Sequence, residues 1–292
     1  MRSDFDFSGL WIPLITPFRD GAVDHEALAT LVKRLAPTGI AGFMVCATTG
    51  EAPLLSQAER DAVLGTVARS TALPVVVGVA ATTAADVLRL MQAAAPHQPA
   101  AFLVPAPGYV RPSQAALCTF FTALADAAPA PLILYDVPAR TGVRLELDTL
   151  RALSLHPRIV ALKDCGGRLD CTEAFIADGA LQVLCGNDAE WFASRCLGGA
   201  GAVAASAHLR TDLFVAFDTA LAGGELNQAR GLWHHLAPLT RALFDEPNPA
   251  PVKALLADAG ECRDEVREPL LRASHALRAR LKALVSTLPA TA

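Results

Sequence analysis

The sequence predicts an α/β fold, a (β/α)8 TIM barrel with a small C-terminal helical appendage. Eight short apolar runs recur along the first three quarters of the chain, each followed by a turn and then a helical pattern. The runs are almost continuously apolar, which is typical of parallel strands that helices cover on both faces. Eight such units in about 215 residues match the usual size of this barrel.

The predicted strands are residues 10–15, 39–46, 74–79, 100–104, 131–135, 158–163, 181–185 and 200–205. Helical patterns between them include residues 24–35, 56–70, 83–95 and 112–127. Ser56 and Glu59 form a capping-box pattern, and Pro112 suits a first helical turn. A doubly wound open sheet is the alternative, but the regular spacing and the lack of G-x-G-x-x-G after the first strand favour the barrel.

Strand patterns stop near residue 224. Residues 225–244, 251–260 and 266–288 have helical patterns, separated first by the Pro-rich turn at 246–251. We therefore predict a catalytic barrel domain over residues 1–224 and a helical appendage over 225–292.

Composition excludes several classes of protein. The 292 residues are 52% apolar and 18% charged, with a net charge of −4, so no basic surface favours nucleic acid. The apolar runs are shorter than the roughly 20 residues that a membrane helix needs, and residues 1–7 do not form a secretory signal. Seven scattered cysteines show no metal-ligand spacing. We expect a cytoplasmic protein with free thiols and no metal or cofactor.

Lysine and tyrosine are scarce in this chain. Tyrosine occurs twice against twelve phenylalanines, and only four of the 25 basic residues are lysines. The residues concerned are Lys33, Lys163, Lys253, Lys282, Tyr109 and Tyr135. Each therefore requires an explanation.

Polar groups follow the carboxyl ends of several predicted strands, where a barrel carries its active site. Lys163 ends the sixth strand, where a desolvated amine could attack a carbonyl. Tyr135 ends the fifth strand, and its phenol could transfer protons, with Thr48 and Tyr109 completing a chain of hydroxyls. The alternatives are a strand-end lysine paired with Asp164 and a tyrosine that only packs in the core.

Two further segments could bind carboxylates. The turn Thr48-Thr49-Gly50-Glu51 offers consecutive backbone N–H groups. Arg140 follows the fifth strand and offers a forked donor. The alternatives are an ordinary turn and a surface arginine.

The sequence resembles the dihydrodipicolinate synthase family and its relatives, the pyruvate-dependent class I aldolases. The motifs occur in family order from residue 9 to about 256. They are I-P-L-I-T-P-F at 12–18, A-T-T-G-E at 47–51, P-G-Y-V-R-P at 107–112, Y-D-V-P-A-R-T-G at 135–142, L-K-D at 162–164, C-G-N-D at 185–188 and E-P-N-P-A-P-V-K at 246–253.

The resemblance implies a role for each matching residue. Lys163 would form the Schiff base, and Tyr135, Thr48 and Tyr109 would relay protons, with Tyr109 reaching into the site of a neighbouring subunit. The Thr48 and Thr49 amides would bind the pyruvate carboxylate. Arg140 would bind the carboxylate of the aldehyde, and Val203 would be a further substrate-binding residue. A shared tyrosine implies a homotetramer made of two dimers, or a homodimer.

Within the family, the synthases carry an arginine in this turn and relatives that act on sugar acids tend to lack it. The resemblance at Arg140 therefore implies the synthase reaction, a lyase-class condensation of pyruvate with aspartate semialdehyde in lysine and diaminopimelate synthesis. The alternatives are an aldolase of this family for another aldehyde or keto acid, and a non-catalytic ligand-binding relative. Gly108 departs from the family pattern, where lysine-synthesising members usually carry another tyrosine. Family positions for lysine inhibition read Gln57, Arg60, Thr82 and Asp86, so we expect weak or absent inhibition by lysine.

Overall fold

The structure is a computed structural model that describes residues 5–290 of the chain. Ten strands occur in these residues. In chain order they are β1 (Gly9–Pro13), β2 (Phe18–Arg19), β3 (Ala22–Val23), β4 (Gly42–Val45), β5 (Val75–Gly78), β6 (Ala101–Pro105), β7 (Leu132–Asp136), β8 (Ile159–Asp164), β9 (Gln182–Cys185) and β10 (Gly201–Val203).

Eight of these strands form a closed parallel barrel, in the order β1, β10, β9, β8, β7, β6, β5, β4. They are the eight that the sequence predicts, with ends that differ by a few residues. The barrel prediction is therefore confirmed. The antiparallel pair β2–β3 was not predicted, because each strand has only two residues around the turn at Asp20 and Gly21.

Twelve α-helices accompany the strands in the described residues. They are α1 (His25–Leu35), α2 (Gln57–Ser70), α3 (Ala84–Ala94), α4 (Gln114–Ala127), α5 (Pro138–Thr141), α6 (Leu147–Ser154), α7 (Leu169–Ala177), α8 (Trp191–Cys196), α9 (Thr211–Ala222), α10 (Leu226–Ala242), α11 (Ala250–Asp258) and α12 (His275–Ser286).

The starts of these helices follow their capping residues. Ser56 accepts from the Glu59 amide and Glu59 accepts from the Ser56 amide, so the predicted capping box is confirmed. The expectation for Pro112 is wrong, because α4 begins at Gln114 and Ser113 caps it through the Ala116 amide.

The last predicted helix is also wrong at its start. Residues 266–274 are irregular, and α12 begins only at His275. Pro269 has no N–H to donate and its ring disfavours a preceding helical turn, so a helix through this segment would be broken. The segment instead forms a hydrogen bond with a distant part of the chain, because the Arg267 amide donates to Glu51 Oε2 over 2.9 Å.

The chain forms two compact units, and the first comprises residues up to 8 and 74–203. It contains strands β5 to β10, paired in parallel from β5 through to β10. Its fully buried side chains include Phe102, Phe121 and Phe175. These rings come from β6, α4 and α7, so they form part of the core of the unit that carries Tyr135 and Lys163.

The second unit comprises residues 9–73 and 204 onward. Strand β1 pairs with β4, with Trp11 opposite Gly42. Helix α10 packs on α9 and α12, and Phe217 stacks on Trp233 with ring centroids 5.0 Å apart. The division into residues 1–224 and 225–292 stays a prediction.

No helix in residues 5–290 is long and apolar enough to span a membrane.

Candidate active site

Lys163 and Tyr135 lie directly opposite each other on the neighbouring strands β8 and β7. The Lys163 Nζ atom is 4.4 Å from the centre of the Tyr135 ring. Both side chains are buried, with 4% and 7% of their surface exposed. The structure thus brings together the two residues that the sequence selects, and a phenol lies beside a buried amine.

Lys163 forms no ion pair among the described residues. The carboxylate of the adjacent Asp164 is used elsewhere, because it accepts from the Gly166 amide over 2.7 Å and from the Thr172 hydroxyl. The alternative in which Lys163 pairs with Asp164 is therefore not what the structure shows. The Lys163 amine is therefore not held in an ion pair with its neighbour, and a buried lysine amine of this kind is a candidate nucleophile.

Tyr109 and Arg140 lie on two loops of the same compact unit, after β6 and after β7. Tyr109 has a positive φ of 71° and a side chain that is 99% exposed. Arg140 lies in the short helix α5 and is also exposed. Within one chain, neither side chain is held against the Lys163–Tyr135 pair, and both are free to meet a ligand or another molecule.

Gly142 ends α5 in the left-handed conformation, with φ of 74°. A Cβ atom there would lie 2.8 Å from Nε of Arg111, so only glycine leaves room for that side chain. Arg111, in the motif at 107–112, therefore packs on the turn that carries Arg140. No separate role for Arg111 was predicted from the sequence.

The segment Thr48-Thr49-Gly50-Glu51 forms a tight turn after β4, in the second compact unit. The Gly50 amide donates to the Ala47 carbonyl over 3.1 Å and the Glu51 amide to the Thr48 carbonyl over 3.0 Å. Among the described residues, the Thr48 and Thr49 amides donate to no protein group. Two adjacent unbonded amides are suited to binding a carboxylate.

Two contacts fix the shape of this turn. A Cβ atom on Gly50 would lie 3.1 Å from the Leu14 carbonyl oxygen, which favours glycine there. Asn248 donates through Nδ2 to the Thr49 hydroxyl over 2.9 Å, while its Oδ1 is buried without a partner among the residues that the structure describes. The motif at 246–253 thus helps to hold the turn at 48–51 in shape, a role that its position in the sequence did not indicate.

Glu51 and Lys253 form a buried ion pair that the sequence did not predict. Their atoms Oε1 and Nζ are 2.5 Å apart, and both side chains are fully buried. Lys253 also donates to the Glu265 carbonyl over 2.8 Å. Burial lowers the pKa of Lys253, and the charge of Glu51 opposes that shift. The only sequence signals were the scarcity of lysine and the place of both residues in family motifs.

A cavity of about 390 Å³ lies beside β7 and β8, lined also by residues of α6 and α7. Asp136 and Asp164 face each other there, since a Cβ atom on Gly166 would lie 2.6 Å from Asp136 Oδ2 and 3.0 Å from Asp164 Oδ1. Burial raises the pKa of Asp136 to about 6, and the charge of Asp164 acts in the same direction, against the hydrogen bond from the Leu145 amide.

Val203, the last residue of β10, is 1% exposed, so its side chain belongs to the core. In residues 5–290 no group of three or more His, Cys, Asp or Glu side chains could hold a metal ion. All seven cysteines are free thiols.

The chain is similar throughout its length to known proteins. The model of the dihydrodipicolinate synthetase family matches residues 6–288. A protein of Geobacter sp. (strain M21), named 4-hydroxy-tetrahydrodipicolinate synthase, is 35% identical over 283 residues, which cover 96% of this chain and 98% of that protein.

Solved structures of dihydrodipicolinate synthases are also similar to this chain over nearly its full length. A crystal structure of dihydrodipicolinate synthase from Bacillus anthracis is 30% identical, with a TM-score of 0.93, and covers 98% of this chain and 99% of that one. A structure described as the first monomeric dihydrodipicolinate synthase variant is 27% identical, with a TM-score of 0.93 and 96% coverage of both chains.

Proposed function

Because the chain belongs to the dihydrodipicolinate synthetase family, we propose that it is a 4-hydroxy-tetrahydrodipicolinate synthase. It is an enzyme of the lyase class that condenses pyruvate with aspartate 4-semialdehyde, in the synthesis of diaminopimelate and lysine. The observation that carries the proposal is the buried Lys163 amine, which lies 4.4 Å from the centre of the Tyr135 ring and has no carboxylate partner in residues 5–290.

In the proposed reaction, the Lys163 amine attacks the pyruvate carbonyl and the carbinolamine loses water to give an imine. Tyr135 donates the proton that lets the hydroxyl leave. The imine then loses a methyl proton and becomes an enamine, whose carbon attacks the semialdehyde. The amine of the condensed product finally attacks the imine carbon, which closes the ring and releases Lys163. No metal or cofactor is required, because the lysine supplies the electron sink.

The two substrate carboxylates require different binding groups. We assign the pyruvate carboxylate to the Thr48 and Thr49 amides, which donate to no protein group among the described residues. We assign the semialdehyde carboxylate to Arg140, whose guanidinium is exposed. We also propose Val203 as a substrate-binding residue. Because its side chain is buried, its backbone is the part that would contact the substrate.

The remaining hydroxyl of the relay, Tyr109, is proposed to act in a neighbouring subunit. Its 99% exposure within one chain, together with the half-exposed Val110, supports a contact with a second copy. We propose a homodimer or a homotetramer of two dimers, in the cytoplasm, where the free thiols stay reduced. Size-exclusion chromatography with light scattering tests this, and an active monomer would contradict it.

The alternative function is that of a related pyruvate aldolase that acts on a different aldehyde or keto acid. Gly108 stands where lysine-synthesising members usually carry a tyrosine, so we expect more space for a substrate beside Tyr109. A related pyruvate aldolase with a bulkier aldehyde or keto acid would use that space. Turnover of such a substrate faster than aspartate semialdehyde would favour this alternative.

The experiment that tests the proposed substrate compares the wild type with Arg140→Ala. We expect the KM for aspartate semialdehyde to rise at least about tenfold, because one charged hydrogen-bonded contact is lost. Trapping of the pyruvate imine should be unaffected. The exposed Arg69→Ala is the matched control. An unchanged KM in Arg140→Ala, or no turnover of the semialdehyde by the wild type, would contradict the proposal.

A further inference from the structure

Cys165 follows Lys163 by two residues, just beyond the end of β8. Its amide donates to the Asp136 carbonyl over 2.8 Å, so the pairing of β7 with β8 continues by one residue. In an extended chain, alternate side chains face the same way. The thiol of Cys165 is therefore placed on the same side as the Lys163 amine.

Gly186 shows how close the thiol lies to the lysine. A Cβ atom on Gly186 would lie 2.5 Å from Sγ of Cys165 and 2.7 Å from Cε of Lys163. Real Cβ atoms do not approach other atoms so closely, so only glycine fits there. Because both distances are measured from one point, the thiol and the end of the lysine side chain lie side by side against the Gly186 backbone.

Cys165 also lies within reach of the second residue of the pair, because the Tyr135 side chain is one of the groups that lower the pKa of its thiol, and the Tyr135 ring lies beside the same lysine amine. Burial raises the pKa of the Cys165 thiol to about 11, although the charge of Lys163 opposes the shift. The thiol is therefore neutral near pH 7 and does not compete with Lys163 as a nucleophile. The charged groups that act on it are Lys163, Asp164 and Asp188.

We propose that Cys165 is a positioning residue, whose sulfur holds the Tyr135 hydroxyl beside the Lys163 amine. The inference rests on the proposed roles of Lys163 and Tyr135. The phenol rotates about the bond between its ring and oxygen, and a fixed acceptor limits the directions in which its proton points. Cys165 thus sets the geometry of proton transfer without touching pyruvate itself.

The test uses a reaction that needs no aldehyde. Enamine formation moves one proton from the methyl carbon of the pyruvate imine, and its reversal in D2O returns a deuteron, so hydrolysis releases deuterated pyruvate. NMR follows this exchange in the wild type, in Cys165→Ala, which lacks an acceptor, and in Cys165→Ser, which keeps one. Cys118→Ala, a partly buried cysteine of α4, is the matched control.

We expect Cys165→Ala to lower the maximal exchange rate roughly tenfold, the effect of about one hydrogen bond, with little change in the pyruvate concentration at half-maximal rate. We expect Cys165→Ser and Cys118→Ala to stay within about twofold of the wild type. The pH profile of exchange should shift in Cys165→Ala only.

Two results would overturn the inference. One is a wild-type rate and pH profile in Cys165→Ala, and the other is a serine variant as slow as the alanine variant while its thermal unfolding matches the wild type. Absence of exchange in the wild type would instead contradict the proposed function, so the two failures are distinguishable.

Discussion

The two buried lysines of this chain, one in each compact unit, lie in opposite surroundings. Lys253 is fully buried and its amine bonds to the Glu51 carboxylate and the Glu265 carbonyl. Lys163 is buried to nearly the same extent, yet its amine faces the Tyr135 ring and is paired with no carboxylate in the part of the chain that the structure describes. Burial alone therefore does not make a lysine a nucleophile; the partners around the amine decide.

Both amines also face an aromatic ring, so a ring does not distinguish them. Nζ of Lys253 is 4.1 Å from the centre of the Phe18 ring, a distance close to that between Lys163 and Tyr135. The distinction is that Phe18 has no hydroxyl, whereas Tyr135 carries one that can exchange protons. Under the proposed function, Lys253 stabilises the fold and Lys163 carries out the chemistry.

The largest expected effect is the loss of activity in Lys163→Met. Methionine fills a similar volume but cannot form an imine, so we expect the condensation rate to fall by about a thousandfold or more. The free energy of unfolding should change little, because no ion pair is lost. Steady-state assays and urea denaturation measure both, with the exposed Lys33→Met as control. Activity close to the wild type would show that the two lysines have been assigned the wrong roles.

Lys253→Met should have the opposite profile. The substitution leaves the Glu51 carboxylate buried without its partner, which costs about 3–5 kcal/mol of unfolding free energy. The folded fraction should still form the pyruvate adduct on Lys163. Lys282→Met is the matched control, because that lysine is exposed and only 3.7 Å from Asp258, a surface pair worth less than about 1 kcal/mol. If Lys253→Met lost as little unfolding free energy as Lys282→Met, the structural role assigned to Lys253 would be wrong.

An acid beside the Lys163–Tyr135 pair gives a prediction about pH. The pKa of Asp136, next to Tyr135, is raised to about 6 by burial. An acid whose folded pKa is raised contributes stability that is present below about pH 4 and is lost as the pH rises through about 6.

We therefore expect Asp136→Asn to be more stable than the wild type at pH 7–8 by about 1–3 kcal/mol, with the difference closing near pH 4. The asparagine oxygen can still accept from the Leu145 amide. Thermal unfolding across this pH range measures the effect, and the exposed Asp148→Asn controls for the lost charge. A difference that does not vary with pH would contradict the assignment.

Free lysine should have the smallest effect. At the positions that the family uses for lysine inhibition, Arg60 already donates to the carbonyls of Ala52 and Leu55, and Asp86 accepts from Thr83 and Arg89. We expect half-maximal inhibition, if any, only above the millimolar level. A titration of activity with L-lysine checks this, and half-maximal inhibition at lower concentrations would contradict the expectation.

The sequence predicted the barrel and the Lys163–Tyr135 pair because both follow from local patterns. Apolar runs mark strands, and residues that end neighbouring parallel strands meet at one edge. The scarcity of lysine and tyrosine then selected these two residues.

The sequence could not predict contacts between distant segments. Glu51 and Lys253 are 202 positions apart, and nothing in either segment indicates that they pair. The hydrogen bond from Asn248 to Thr49 spans 199 positions for the same reason. Cys165 was expected only as one of seven free thiols, since its neighbours in space depend on the strand register and on the bare backbone at Gly186.

The most direct test of the comparison is reduction of the protein with borohydride in the presence of pyruvate. Borohydride reduces an imine to a stable secondary amine, so peptide mass spectrometry identifies the lysine that forms it. We expect one pyruvate-derived adduct per chain, on Lys163, and none on Lys253. An adduct on another lysine, or none at all, would contradict the central claim that the surroundings of Lys163 make it the nucleophile.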